Sequence, residues 1–242
     1  LGAASMLRLL GLVVLLGANA AGSTAAPAGA SDQRFVRPVQ ELAALLTPHQ
    51  ARQAPRRSSH RLAMVASRRP ITGQRTMLPV LRHATDAGGR HWLRVRLPGR
   101  PNGHTGWIER AGTVAHETSW RIVVETKRRR VVVYRRGHAM RTFAAVVGKT
   151  ATPTPNGEFF VEEAVELPSG EAGAPFALAL SARSEVFQRF AGGPGQVALH
   201  GLANVGGVLG TAVSHGCVRL NAAAMTWLVA RIAPGDPVTI RT

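Results

Sequence analysis

Along Trp92-Leu93-Arg94-Val95-Arg96-Leu97, Leu93, Val95 and Leu97 alternate with Arg94 and Arg96. A period of two is the signature of an extended strand with one face buried. Residues 76–81 and 106–108 add short apolar runs, and the Gly, Asn and Pro clusters between them mark turns. Farther on, residues 121–125 and 131–134 flank the polar segment 126–130, the layout of a hairpin. Residues 142–147, 158–165, 177–180, 197–199 and 238–240 read as further strands. A helical period occurs convincingly once, over residues 222–233, where Met225, Leu228, Val229 and Ile232 fall on one face, Asn221 can cap the start and Pro234-Gly235 stops the run. The expected fold is mainly β, with one C-terminal helix.

The N-terminal third reads differently. Arg8 precedes the apolar run 9–16, and Ala18-Asn19-Ala20 offers a small-x-small cleavage site, so residues 1–30 have the layout of a secretory signal with Met6 as a candidate start. The run is too short to span a bilayer, and no cysteine follows it for lipid attachment. Export to the cell envelope is expected, with no stable membrane span once the signal is cleaved. Residues 31–60, poor in aromatics and rich in Ala, Pro, Ser and Arg, read as a linker with one short helix near 38–46. Residues 61–116 resemble a small SH3-like β-barrel module ending in Gly106-Trp107-Ile108. Such a module either serves wall or peptide binding or caps the next domain.

The formal charge of +17 would ordinarily suggest a nucleic acid partner. Its distribution argues otherwise. Apart from Lys127 and Lys149 the positive charge is all arginine, scattered through an Ala-, Gly- and Pro-rich chain without an aromatic stacking platform. No nucleic acid is expected, and attraction to an anionic cell envelope is the better functional reading.

Cys217 is the only cysteine, so no internal disulfide can form. It sits in Ser214-His215-Gly216-Cys217-Val218-Arg219, downstream of Leu199-His200-Gly201. A thiol is only a few per cent ionised at neutral pH, so a nucleophilic cysteine needs an imidazole to take its proton. His200 can return beside Cys217 across a loop, whereas His215 is too near in sequence to turn its ring well onto the sulfur. Gly216 lets the backbone turn sharply and expose the thiol. Backbone N–H groups of His215, Gly216 and Cys217 are candidate oxyanion donors. Arg219 is placed to hold the substrate's carbonyl or carboxylate, or else to form a structural salt bridge. Ser214 borders the same substrate-binding loop, as a turn former or hydrogen bonder rather than a nucleophile. The spacing of His200, His215 and Cys217 suits no zinc site, and no phosphate loop or dinucleotide fingerprint is present, so neither metal nor cofactor is expected.

These motifs resemble the L,D-transpeptidase (YkuD-like) family, whose signature is His-Gly, a variable glycine-rich loop, then Ser/Thr-His-Gly-Cys, a hydrophobic residue and Arg or Asn. The likeness extends upstream through residues 120–125, 130–134 and 148–159, which includes a Thr-Pro-x-Gly-x-Phe-like turn, and covers residues 119–242. It implies a β-rich sandwich as catalytic domain and peptidoglycan stem peptides as substrate. It also implies a Cys217 nucleophile, His200 as base and the Gly201 carbonyl as the group that orients its ring. Many relatives carry Ser after that His; here no side chain is available, but a carbonyl remains. The motif does not separate transpeptidation from hydrolysis by a carboxypeptidase or endopeptidase, and a non-catalytic wall-binding protein is the alternative from another class. Residues 119–242 alone are expected to retain acylation activity, since they hold every motif residue.

Overall fold

The computed structural model describes residues 36–189 and 193–242; the expected signal segment 1–30 lies outside them. The first seven strands are β1 (Gln40–Leu45), β2 (His49–Arg52), β3 (Arg61–Val65), β4 (Met77–Thr85), β5 (His91–Arg96), β6 (Thr105–Glu109) and β7 (Thr113–Thr118). They form one sheet in the order β3-β2-β6-β5-β4-β1-β7. The sheet therefore begins within the segment read as a linker. The helix expected near residues 38–46 is instead β1, paired antiparallel with both β4 and β7. Leu42, Ala43, Ala44 and Leu45 are all buried. A strand covered on both faces loses the alternation that marks a strand, and sheet pairing overrides the helical preference of Glu-Leu-Ala-Ala-Leu.

Next come β8 (Trp120–Glu125), β9 (Arg130–Arg135), β10 (His138–Ala144), β11 (Val147–Gly148), β12 (Gly157–Glu166), β13 (Phe176–Arg183), β14 (Gln196–Gly201), β15 (Ala212–Ser214) and β16 (Val218–Leu220). After α1 (Ala222–Val229), β17 (Pro237–Arg241) closes the chain. Eight strands make the second sheet, ordered β10-β9-β8-β17-β12-β13-β14-β16, and β11 pairs with β15 in a two-stranded ribbon. The hairpin predicted around residues 126–130 joins β8 to β9. Mainly β with one C-terminal helix is therefore the fold of the described residues.

Asn221 caps α1, its side chain accepting from Ala224 N at 2.8 Å, and Ala224, Met225 and Leu228 face the core. The helix ends earlier than its apolar period suggested, at Val229, although Ile232 is still buried beyond it.

β12 is shared between two cores. Phe159 and Val161 join the cluster under the second sheet, while Phe160 joins Leu45, Leu78, Val95 and Ile108 of the first. The register with β13 shifts between Val161 and Glu163, the mark of a bulge that places an extra residue on one side. Both acids there are buried and meet the first sheet's β3–β4 connection: Glu162 pairs with Arg69 and with Arg183, and Glu163 accepts from Thr72 N and Thr72 Oγ1, each at 2.9 Å.

Asp236 lies in the turn after α1, buried, its Oδ2 accepting from Ala233 N at 2.9 Å. Burial pushes its carboxyl up to about 6, against hydrogen bonds from Thr118 and Ala233 that pull the other way. Below the ordinary value of 3.8 the group is protonated whether the chain is folded or not. As pH rises from there through about 6, folding must hold a proton that the unfolded chain has released, so stability falls by up to about 3 kcal/mol. Asp236→Asn should remove this loss. Urea midpoints at pH 4 and pH 7 check it: the variant's advantage over the parent chain should grow with pH, and a constant difference would refute the assignment.

Candidate active site

β14 and β16 are parallel neighbours at the edge of the second sheet, with Leu199 opposite Val218, His200 opposite Arg219 and Gly201 opposite Leu220. Leu199, Val218 and Leu220 are fully buried, which turns the alternate residues Ala198, His200 and Arg219 to the other face. Cys217 immediately precedes β16, half-buried, so the same alternation and register set it beside Ala198 on the face that carries His200. Cys217, His200, His215 and Arg219 line one cavity of about 350 Å³, together with Ser184 and Gly195.

His200 Nδ1 lies 2.8 Å from Gly201 O. A carbonyl only accepts, so Nδ1 carries the hydrogen and Nε2 is left for proton exchange. Burial lowers the imidazole pKa, the Gly201 carbonyl partly offsets this, and the nearby Arg219 charge lowers it further. Burial raises the Cys217 thiol, against a hydrogen bond from the Ala198 backbone and the charge of Arg219. Both shifts favour neutral thiol and neutral imidazole in the resting state.

The backbone around His200 is crowded. Gly173 has φ +90°, and a Cβ there would come within 2.7 Å of His200 Nδ1; a Cβ on Gly201 would lie 1.8 Å from Ala174 O. Gly201 N also donates to Gly173 O at 2.7 Å. Glycine after the histidine is thus dictated by space, and no side chain at that position can orient the ring.

The loop carrying Cys217 is held from beneath. Ser214 is fully buried, its hydroxyl donating to Cys217 O at 2.6 Å and accepting from Gly216 N at 3.1 Å. Its carbonyl accepts from Thr152 Oγ1 at 3.0 Å and from Lys149 N at 3.1 Å. The Thr-Pro turn of residues 151–157 is therefore a footing for this loop, and Gly148 sits so close to it that a Cβ would be 2.4 Å from Thr154 N. Gly216, at φ +120°, takes a conformation that side chains disfavour.

Three of the expected groups have defined partners here. Ser214 makes the loop hydrogen bonds expected of it, its hydroxyl joined to Cys217 O and Gly216 N. Gly216 N–H, a candidate oxyanion donor, is directed at Ser214 Oγ. Arg219 lines the cavity; its Nη1 donates to Val205 O at 2.8 Å and Gly206 O at 3.1 Å, gripping the loop after His200, while its buried Nε has no hydrogen-bond partner among the described residues. Sequence reasoning missed Gly173 and Thr152, whose roles depend on close approaches between distant segments. Among the described residues no group of three or more His, Cys, Asp or Glu is placed to hold a metal ion, and no helix is long and apolar enough to cross a membrane.

Residues 119–240 match the L,D-transpeptidase catalytic domain family YkuD. A Bacillus licheniformis protein, named as a putative L,D-transpeptidase YkuD, is 31% identical over 121 residues. That alignment spans 50% of this chain and 65% of the relative's length. Among solved structures, L,D-transpeptidase 3 from Mycobacterium tuberculosis, in complex with a faropenem-derived adduct, aligns over 63% of this chain and 91% of its own at 13% identity, with a TM-score of 0.42. An L,D-transpeptidase from Mycobacterium smegmatis aligns over 68% of this chain and 99% of its own at 19% identity, with a TM-score of 0.39. With half of its length matched, over a span that encloses His200, Gly201 and Cys217, the chain belongs to the YkuD family of L,D-transpeptidase catalytic domains.

Proposed function

We propose that this chain is an exported peptidoglycan L,D-transpeptidase that forms cell-wall cross-links through a Cys217 thioester. The observation that carries the reading is the placement of Cys217 and His200 on one face of adjacent parallel strands, with His200 Nδ1 held by the Gly201 carbonyl. His200 Nε2 takes the thiol proton as sulfur attacks the stem-peptide carbonyl between the L-centre of the diamino acid and the terminal D-alanine. Backbone N–H groups of His215 and Cys217 face the developing oxyanion, with Gly216 joining them only if its N–H leaves Ser214. When the tetrahedral intermediate collapses, the proton on His200 passes to the departing D-alanine amine and a thioester remains. A side-chain amine of a second stem then attacks the thioester, gives its proton to His200 and restores the thiol.

The net charge of +17 supports retention at an anionic envelope. Intact-mass measurement after exposure to a carbapenem, a mimic of the stem, tests the nucleophile: an adduct on the parent chain and none on Cys217→Ala is expected. D-alanine release measured with and without an acceptor amine then separates cross-linking from hydrolysis. Release that an acceptor neither speeds nor diverts into cross-linked product would make the chain a hydrolase.

A further inference from the structure

The part of the active-site cavity lined by Ser184 and Gly195 is held by the first sheet. The connection between β5 and β6 reaches across to the end of β13, where Gly99 N donates to Ser181 O at 3.2 Å. Asn102 acts as a substitute strand partner for Arg183: its Nδ2 donates to Arg183 O, and its Oδ1 accepts from Arg183 N, both at 2.8 Å. Arg100 goes farther. Its Nη1 donates to Pro194 O at 2.9 Å, and its Nη2 donates to Ser184 O at 2.8 Å and Phe187 O at 2.9 Å.

Those carbonyls belong to the two strands of chain that form the wall. Ser184 and Gly195 line the same cavity as Cys217 and are joined by Ser184 N donating to Gly195 O at 2.7 Å. A Cβ on Gly195 would lie 2.1 Å from Phe187 O, so the two passes are packed backbone to backbone. The Phe187 ring in turn stands 6.0 Å from that of His215, beside the nucleophile. A planar guanidinium presents donors in fixed directions and here serves three carbonyls from two nitrogens, a span that an ammonium would have to cover from a single atom. Among the described residues Arg100 makes no ion pair with a carboxylate, and its hydrogen bonds go to this wall.

We propose that Arg100, assisted by Asn102, is a positioning residue for the stem peptide: the first sheet sets the shape of the substrate cavity from outside the catalytic domain. This rests on the transpeptidase reading given above. Arg100→Met keeps the aliphatic stem and removes every donor. In the full-length chain it should raise KM for a tetrapeptide stem by about tenfold, the equivalent of one hydrogen bond to a charged group, with a smaller effect on kcat. Alkylation of Cys217 by iodoacetamide should be unchanged, because a small neutral reagent needs no wall. Amide hydrogen exchange should quicken in peptides that cover Ser184 and Gly195 and stay the same in β8 and β9. Arg100→Lys should recover only part of the KM effect; full recovery would mean that charge alone matters and would overturn the bridging role. Unchanged exchange at Ser184 and Gly195, or an unchanged KM, would also overturn the proposal. So would a parallel fall in alkylation and turnover, which marks general loss of structure. If the parent chain is alkylated yet never turns over a stem, the functional reading fails by itself, and the exchange result still decides whether Arg100 holds the wall.

Discussion

Replacing His200 with alanine should lower stem-peptide turnover by about two to four orders of magnitude, the usual range for a lost general base. Cys217→Ala should abolish it. The size of the His200 effect follows from the two titrations. With the thiol held above its ordinary range and the imidazole below, little thiolate exists at neutral pH unless His200 removes the proton during attack. The pH profile gives the sign. In the parent chain the base works when deprotonated, and because burial lowers its pKa, activity should persist into mildly acidic solution and fall only below the ordinary imidazole value of 6.5. In His200→Ala that limb should vanish, leaving a slow rate that climbs with pH toward a thiol titration above 9.0. Iodoacetamide alkylation and D-alanine release, each followed across pH, check both statements. If His215→Ala proves the more damaging change, the base has been assigned to the wrong histidine.

A fragment of residues 119–242 should fail to form a native domain, although it holds His200 and Cys217 and was expected from sequence to retain acylation. Removing the first sheet would uncover Phe160, only 1% exposed in the intact chain, at roughly 2 kcal/mol for an aromatic side chain returned to water. Glu162 would lose Arg69, and Glu163 would lose the donors of Ile71 and Thr72. Glu162 keeps Arg183 and both acids would then face water, so the loss falls on the apolar contact and on the hydrogen bonds that fix the β12 bulge. Leu42 and Met77, packed against Gly235, would go as well. Soluble yield and near-ultraviolet circular dichroism decide the matter. A soluble fragment with native dichroism and an unaltered KM would show that the first sheet is dispensable, and would count against the role given to Arg100.

Legibility in the sequence followed the range of the interactions. The hairpin at residues 126–130, the Asn221 cap and the pairing of His200 with Cys217 rest on local spacing or on a short motif, and each could be read directly. β1 was hidden because both of its faces are covered, so its pattern is that of any buried apolar run. Ser214 and Arg219 sit where a motif suggests contact with substrate, yet which way a hydroxyl or a guanidinium points depends on nearby carbonyls, and spacing does not encode that. Arg100 and Asn102 carried no signal at all. Both belong to a polar turn, and their partners lie more than eighty positions away.

The two-faced placement of β12 bears on how the molecule comes apart. Phe159 and Phe160 are consecutive, and each is anchored in a different core, so neither sheet can melt without disturbing the other's packing. Heating should therefore give a single calorimetric transition whose enthalpy matches its van't Hoff value, instead of the two steps of tethered modules. A substitution deep in the first sheet would then be felt as a lower inactivation temperature at a thiol it never touches. Stabilising changes made far from the cavity, on that same sheet, would extend the working range of the enzyme without altering its chemistry.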